Sequence, residues 1–259
     1  MKQGGRRRRV DDEALARWLG RRAPRGVLLD VDGTLYHKGA LRLAMAGELS
    51  GLFFRNRSAQ LAWDAWDQIS CYRAVLEELR SLGHHDESLR RLQYTEAARR
   101  SGADRAALER LIREWMVERP LRYMRWCRRG ALEGFLAHIT RRGIRAGLFS
   151  DYPLREKAEA LGVLRYVSVA LCATDDDINA LKPHPRGFLA ACAGWQLPPG
   201  EVLYVGDRPE TDGAGATAAG MKCVILAGKG RAEIVQHEWG EYVRLASFGA
   251  LRRALAALP

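Results

Sequence analysis

Gly26-Val27-Leu28-Leu29-Asp30-Val31-Asp32-Gly33-Thr34-Leu35 decides how this chain is read. Gly26 to Val31 is a short, nearly continuous apolar run of the kind expected for a parallel strand buried on both faces. Asp32, Gly33 and Thr34 are turn formers that end it, so Asp30 belongs at the strand's carboxyl end. On the N-terminal side, Asp11 to Arg21 predicts a short amphipathic helix with Leu15, Trp18 and Leu19 on one side. Residues 1 to 9, with the block Arg6-Arg7-Arg8-Arg9, read as a disordered basic arm. On the other side, from about Tyr36 to Arg128, the strand signal disappears. Apolar residues there recur at helical spacing, as in Ile69, Tyr72, Leu76, Leu79 and again in Leu108, Leu111, Ile112, Trp115, so this stretch is expected to be an all-helical insert. Gly83 and Gly102 mark helix ends, Asp104 suits an N-cap, and Pro120 interrupts the pattern.

Beyond the insert, helix and strand alternate. Leu132, Phe135, Leu136 and Ile139 share a helix face, and Ile144 to Phe149 forms an apolar strand. Further strands are expected over Tyr166 to Leu171, Glu201 to Gly206, Lys222 to Leu226 and Tyr242 to Leu245. Repeated strand-helix-strand units imply a parallel sheet with helices on both faces, whose ligands lie beyond the strands' carboxyl ends.

With 259 residues and 47% hydrophobic content, the chain can bury a substantial core. No apolar run approaches the ~20 residues that cross a bilayer, and no apolar signal core follows the basic N-terminus, so a cytoplasmic location is expected. Five scattered cysteines without paired spacing suggest neither a disulfide framework nor zinc, but reduced, mostly buried thiols. A net charge of +11 raises the question of nucleic-acid or anionic-membrane contact. Most of the arginines are spread among acids, however, and a solvated tail accounts for the one dense block.

Four strand ends or nearby turns carry polar groups suited to phosphoryl transfer: Asp30 and Asp32; Ser150 followed by Asp151; Lys182 in Leu181-Lys182-Pro183-His184-Pro185; and Gly206-Asp207 through Asp212. A carboxylate nucleophile is repelled by a phosphate dianion unless the charge is neutralised. Mg²⁺ held by Asp30 and Asp207, helped by a lysine, would neutralise it. Taken singly, each has a plainer reading: a strand-ending turn for Asp30 and Asp32, a cap for Ser150, exposed surface for Lys182, an N-cap for Gly206 to Asp212. Their joint order separates the readings.

That order resembles the four motifs of haloacid dehalogenase-like (HAD) hydrolases. The resemblance covers the start of the sheet and everything from about residue 131. The insert is similar, in position and helical character, to the cap of the subgroup that includes phosphoglycolate phosphatase and β-phosphoglucomutase. The resemblance implies an α/β fold with a Rossmann-like three-layer parallel sheet core and an inserted all-helical cap domain. The expected division is residues 1–22 as basic arm and short helix, 23–36 and 129–259 as core, and 37–128 as cap. It also implies a Mg²⁺-dependent phosphatase acting on a small phosphorylated substrate. Asp30 would be the nucleophile that becomes an aspartyl phosphate, and Asp32 the general acid and base. Ser150, with Asp151 beside it, and Lys182 would hold the phosphoryl group. Asp30, the Asp32 backbone carbonyl and Asp207 would bind the metal, with Asp212 in the outer shell.

Within the resemblance, a dehalogenase needs no leaving-group acid at Asp32. A phosphonate hydrolase would need a Schiff-base lysine in the cap, where only Lys38, close behind the first motif, is present. A phosphomutase uses the same residues and differs in excluding water. Outside enzymology, the alternative is a binding or scaffold protein engaging polyanions through the basic arm. His84 and His85 read as an exposed connection, and His184 as a turn residue. Trp63 and Trp66 are expected to pack against other helices, with a substrate-facing wall as the alternative, and Arg55 and Arg57 to be solvated, with an anionic substrate tail as the alternative partner.

Overall fold

The computed structural model describes residues 6–56, 59–83 and 86–259; His84, His85 and Arg57 lie outside them, and so does the side chain of Arg55. The elements in chain order begin with β1 (Arg6–Arg9), α1 (Asp12–Leu19) and β2 (Gly26–Leu29). The insert follows as α2 (Lys38–Asn56), α3 (Ala59–Leu79), α4 (Leu89–Ser101), α5 (Arg105–Ile112), α6 (Arg119–Leu121) and α7 (Met124–Cys127). Then come α8 (Leu132–Arg141), β3 (Arg145–Ser150), α9 (Arg155–Ala160), β4 (Val167–Cys172), α10 (Arg186–Trp195) and β5 (Val202–Gly206). The chain finishes with α11 (Ala214–Ala218), β6 (Lys222–Leu226), β7 (Glu233–His237), β8 (Gly240–Leu245) and α12 (Phe248–Ala256).

The strands form one sheet in the order β1-β7-β8-β6-β5-β2-β3-β4. β8, β6, β5, β2, β3 and β4 run parallel, and β2 is buried along its whole length. The expected parallel sheet is present and is extended at one edge, where β7 lies antiparallel to β8 and β1 antiparallel to β7. The Arg6–Arg9 block is therefore not a disordered arm. Its backbone pairs with Glu233–His237 while all four side chains stay exposed. Composition alone points to solvent, but an open sheet edge offers unpaired backbone groups that an extended segment can satisfy.

Helices cover both faces, giving the three layers expected of an α/β core. Val27 and Leu29 point to the layer holding Leu15, Phe135, Leu251 and Leu255. Leu28 points to the other, with Phe188, Ala191 and Trp195. That second layer runs without a break into the insert through Ile69, Tyr72, Leu76, Leu89 and Leu108. The insert thus shares its apolar interior with one face of the sheet. Locally it follows its sequence signals: the Asp104 carboxylate accepts from Ala107 N at 2.9 Å to cap α5, and Gly102 closes α4 with a positive φ. Pro120 lies in α6, directly after a π-helical turn over Arg113–Glu118 that continues from α5. Trp63 and Trp66 depart from expectation, being 67% and 53% exposed. The stripe that α3 buries runs through Ile69, Tyr72 and Leu76, and neither tryptophan lies centrally on it.

All five cysteines are free. No helix among the described residues is long and apolar enough to cross a membrane.

Candidate active site

β5, β2, β3 and β4 are adjacent, so their carboxyl ends bring four separate stretches of sequence to one place. The crossovers from β2 diverge here, leaving a crevice beyond the strand ends. Asp30, one residue past β2, is 4% exposed; its N–H donates to Val205 O at 2.9 Å, which fixes it against β5. Lys182 Nζ donates to Asp30 Oδ1 at 2.6 Å, and Thr34 Oγ1 to Asp30 Oδ2 at 2.8 Å. Burial disfavours the Asp30 charge and, with the Asp212 and Asp207 carboxylates adding to it against Lys182, pushes its pKa up to about 7.

Lys182 is the hub of the site. Its Nζ also reaches Asp212 Oδ1 at 2.8 Å and Tyr204 OH at 3.3 Å. Burial works against the ammonium, but Asp212 and Asp30 overcome it and hold its pKa well above the usual lysine range. The Asp212 carboxylate is saturated, because Oδ1 also accepts from Tyr204 OH at 3.0 Å and Oδ2 accepts from the N–H groups of Asp207 and Arg208, each at 3.0 Å. Burial opposes its ionisation, yet Lys182 and these donors hold its pKa below the carboxylate range. Gly206 is needed here, since a Cβ would lie 2.4 Å from Asp212 Cγ.

Asp30, Asp207 and Asp212 each offer a carboxylate oxygen within 4.8 Å of the others. An all-oxygen acidic cluster suits a hard divalent cation such as Mg²⁺. Burial raises the pKa of Asp207, as it does that of Asp30. A buried and a partly buried carboxylate that resist ionisation, beside a third that is ionised, mark a place where positive charge is wanted. Lys38, from the first turn of α2, supplies some of it, with Nζ 3.0 Å from Asp207 Oδ2. Gly33 makes this approach feasible: its φ is +94°, and a Cβ there would lie 2.2 Å from Asp207 Oδ2 and 2.5 Å from Lys38 Cε.

Asp32 faces the opposite side of the turn. Ser150 Oγ donates to its Oδ2 at 3.0 Å, Lys157 Nζ donates to its Oδ1 at 2.6 Å, and Tyr36 OH donates to the same oxygen. Burial favours the neutral acid, but the Lys157 charge and these hydrogen bonds prevail and lower its pKa. Ser150 Oγ also accepts from Tyr152 N at 3.1 Å. Asp151 lies beside the site but is committed elsewhere. Oδ2 accepts from Arg80 Nη1 at 2.8 Å and Oδ1 from Lys182 N at 3.1 Å. A carboxylate so engaged would repel a phosphate, and its contacts instead tie the insert and the Lys182 backbone to the β3 end.

The structure thus gathers Asp30, Asp32, Ser150, Lys182, Asp207 and Asp212 and gives Asp151 a positioning contact. It adds Thr34, Tyr36, Lys38, Lys157 and Tyr204, which the sequence reading did not single out for the site. Lys157 had a legible signal. Leu154, Ala158 and Leu161 are the buried positions of its helix, and Lys157, three residues after Leu154 and four before Leu161, falls on that inward face. It is 5% exposed. Tyr204, fully buried in β5, carried no such mark, because a tyrosine within an apolar strand reads as core.

Above this floor lies a cavity of about 530 Å³, roofed by α2, α3 and the stretch from Trp115 to Met124. Three ion pairs among the described residues join roof and floor: Lys38 to Asp207, Arg80 to Asp151, and Arg208 Nη1 to Glu77 Oε1 at 3.1 Å.

A family model described as haloacid dehalogenase-like hydrolase matches residues 24–220. A phosphoserine phosphatase of Thermus thermophilus is 36% identical over 95 residues, spanning 36% of this chain and 37% of that protein's length. Among solved structures, a 2-haloacid dehalogenase from Pseudomonas syringae is 23% identical with a TM-score of 0.61, covering 90% of this chain and 98% of its own. A HAD phosphatase from Thermococcus onnurineus is 24% identical with a TM-score of 0.58, covering 90% and 99%. At these identities the two structural likenesses carry the fold.

Proposed function

The chain belongs to the haloacid dehalogenase-like hydrolases, and from that premise we propose that it is a Mg²⁺-dependent phosphomonoester hydrolase working through a phosphorylated Asp30. The observation that carries this reading is Asp32. A hydrolase attacking carbon to expel a halide has no leaving oxygen to protonate, whereas here a second carboxylate, tied to Ser150, Lys157 and Tyr36, stands two residues from the nucleophile. The partial likeness to a phosphoserine phosphatase supports the same side of the family.

In this reading an Asp30 oxygen attacks phosphorus in line, and the new O–P bond forms as the bond to the leaving alkoxide breaks. Lys182 keeps Asp30 ionised at the moment of attack and counters charge on the phosphoryl oxygens, while Ser150 donates to one of them. Asp212 and Tyr204 hold the Lys182 ammonium on Asp30. Asp30, Asp207 and the Asp32 backbone carbonyl would hold Mg²⁺, with Asp212, whose oxygens are taken by Lys182, Tyr204 and two N–H groups, in the outer shell; when bound the cation neutralises the phosphate dianion and the carboxylate facing it.

Asp32 rests ionised, the form that takes a proton from water in the second half of the cycle. For the first half it must bind a proton, and an arriving phosphate dianion favours this by raising the negative potential around it. Asp32 then delivers that proton to the alkoxide, and water attacks the Asp30 acyl phosphate to release inorganic phosphate.

The test is release of inorganic phosphate from a broad panel of monoesters, with and without Mg²⁺, beside release of chloride from 2-chloropropionate. Metal-dependent phosphate release is expected. Chloride release with no phosphate from any ester would overturn the proposal.

A further inference from the structure

The walls of the cavity differ in kind from its floor. α2 turns Leu41, Met45 and Leu49 inward at intervals of four, one apolar line along the helix. Trp66 and Ile69 of α3 face them, and Trp115, Met116 and Met124 close the far side. The acidic side chain that the insert contributes to the lining is Glu77, and it is neutralised by Arg80 Nε at 3.0 Å and Arg208 Nη1 at 3.1 Å. Arg42 and Arg73 also line the cavity, and among the described residues neither has a carboxylate in ion-pair contact. Arg73 lies close enough to Tyr152 for its charge to act on that phenol.

Resting on the phosphatase reading above, we infer that the natural ester has a bulky apolar body and bears a second anionic group that Arg42 and Arg73 receive. About 530 Å³ falls in the ~300–1,000 Å³ range of sites that enclose a drug-sized organic molecule, far more room than a two- or three-carbon phosphate needs. A small polyhydroxylated leaving group would set its hydroxyls against leucine, methionine and tryptophan, where they find no partners. An aryl or long alkyl body instead removes its own apolar surface and that of the walls from water. The floor already supplies Lys182, Ser150 and an acidic cation site for the phosphate. The two insert arginines are therefore surplus to it, and their unpaired guanidiniums suit a carboxylate or similar anion on the same molecule.

Primary alkyl phosphates, whose leaving-group basicities are similar, provide the test: glycerol 3-phosphate, O-phosphoserine, hexyl phosphate, 2-(1-naphthyl)ethyl phosphate and 6-(phosphonooxy)hexanoate. With Mg²⁺ present, kcat/KM is expected to rise by ~10-fold or more from the first pair to the hexyl and naphthylethyl esters. A further ~5-fold gain is expected for the carboxylated hexanoate over hexyl phosphate. Arg42→Gln and Arg73→Gln are expected to bring that hexanoate-to-hexyl ratio close to one, and Trp66→Ala, at a half-exposed position, to raise KM for the naphthylethyl ester. Turnover favouring glycerol 3-phosphate or O-phosphoserine would overturn the inference and leave the phosphatase standing. A hexanoate-to-hexyl ratio unmoved by both arginine substitutions would remove the second anion. No phosphate from any of the five would overturn the phosphatase reading and this inference together.

Discussion

The floor and the roof of the cavity hold their charges in opposite ways. On the floor, Lys182, Asp30 and Asp212 have side chains 4%, 5% and 1% exposed, and each of their charged atoms meets at least one partner. On the roof, Arg42 and Arg73 are exposed and face the cavity without an acidic partner among the described residues. A buried network loses stability and geometry together when one member is removed, because the remaining charges are left without water or partner. Solvent-exposed cations lose little on removal and can wait for a ligand. The floor is thus built for one reaction and the roof for a choice among substrates.

Substitutions on the floor are therefore expected to break the most. Asp30→Asn removes the nucleophile and should lower phosphate release by ~10³-fold or more, with the far-ultraviolet circular dichroism unchanged. Turnover by this variant near the wild-type rate would end the mechanism. Gly33→Ala forces a Cβ onto Asp207 and Lys38 at a left-handed φ; a shift of the turn by an ångström is expected to lower kcat by ~10²-fold.

Metal dependence gives a pH test whose sign follows from Asp30. Its carboxyl titrates near 3.8 unfolded and at about 7 folded, so the native state holds the proton more tightly and metal-free stability falls as pH rises between those values. The lowered carboxyls of Asp32 and Asp212 act only at more acidic pH. Metal-free protein is accordingly expected to melt at a lower temperature at pH 8 than at pH 5.5. Added Mg²⁺ should raise the melting temperature more at pH 8, where no proton competes for Asp30. Equal Mg²⁺ shifts at both values would place the cation away from this carboxylate.

Lys157→Met breaks an ion pair whose side chains are 6% and 17% exposed and is expected to destabilise the fold by about 3 kcal/mol in urea titration. Because it also releases Asp32 from its strongest donor, the acid limb of kcat against pH should move upward, which a purely structural lysine would not cause. The smallest effect is expected at the opposite edge of the sheet. Replacing Arg7 and Arg9 by Gln touches only exposed side chains and should alter stability by no more than ~0.5 kcal/mol.

How much of this was legible in the sequence varies in the same floor-to-roof sense. Strand ends announce themselves jointly: an apolar run stopping at Asp, Ser or Gly-Asp has a plainer reading when taken alone, but the order of several such ends placed Asp30, Ser150 and Asp207. Tyr204 was hidden by its surroundings in an apolar strand, whereas Lys157 carried a signal that went unused, its place on the inward face marked by Leu154, Ala158 and Leu161. Trp63 and Trp66 were misread because helical periodicity reports which residues share a face, and not which face the neighbouring helices cover. The Arg6–Arg9 strand was missed because its partner, β7, is more than 220 residues away in the chain and offers a backbone edge that composition does not encode.

The sequence by itself determined the α/β core, the helical character of the insert and the order of the polar strand ends, since these follow from local periodicity and turn chemistry. Only the tertiary structure decided that Lys182 reaches Asp30 and Asp212 at once, that Lys157 holds Asp32 ionised, and that an apolar roof faces them with two arginines that have no acidic partner among the described residues. Hydrogen bonds and burial depend on which distant segments meet, and that is set by packing across the whole sheet.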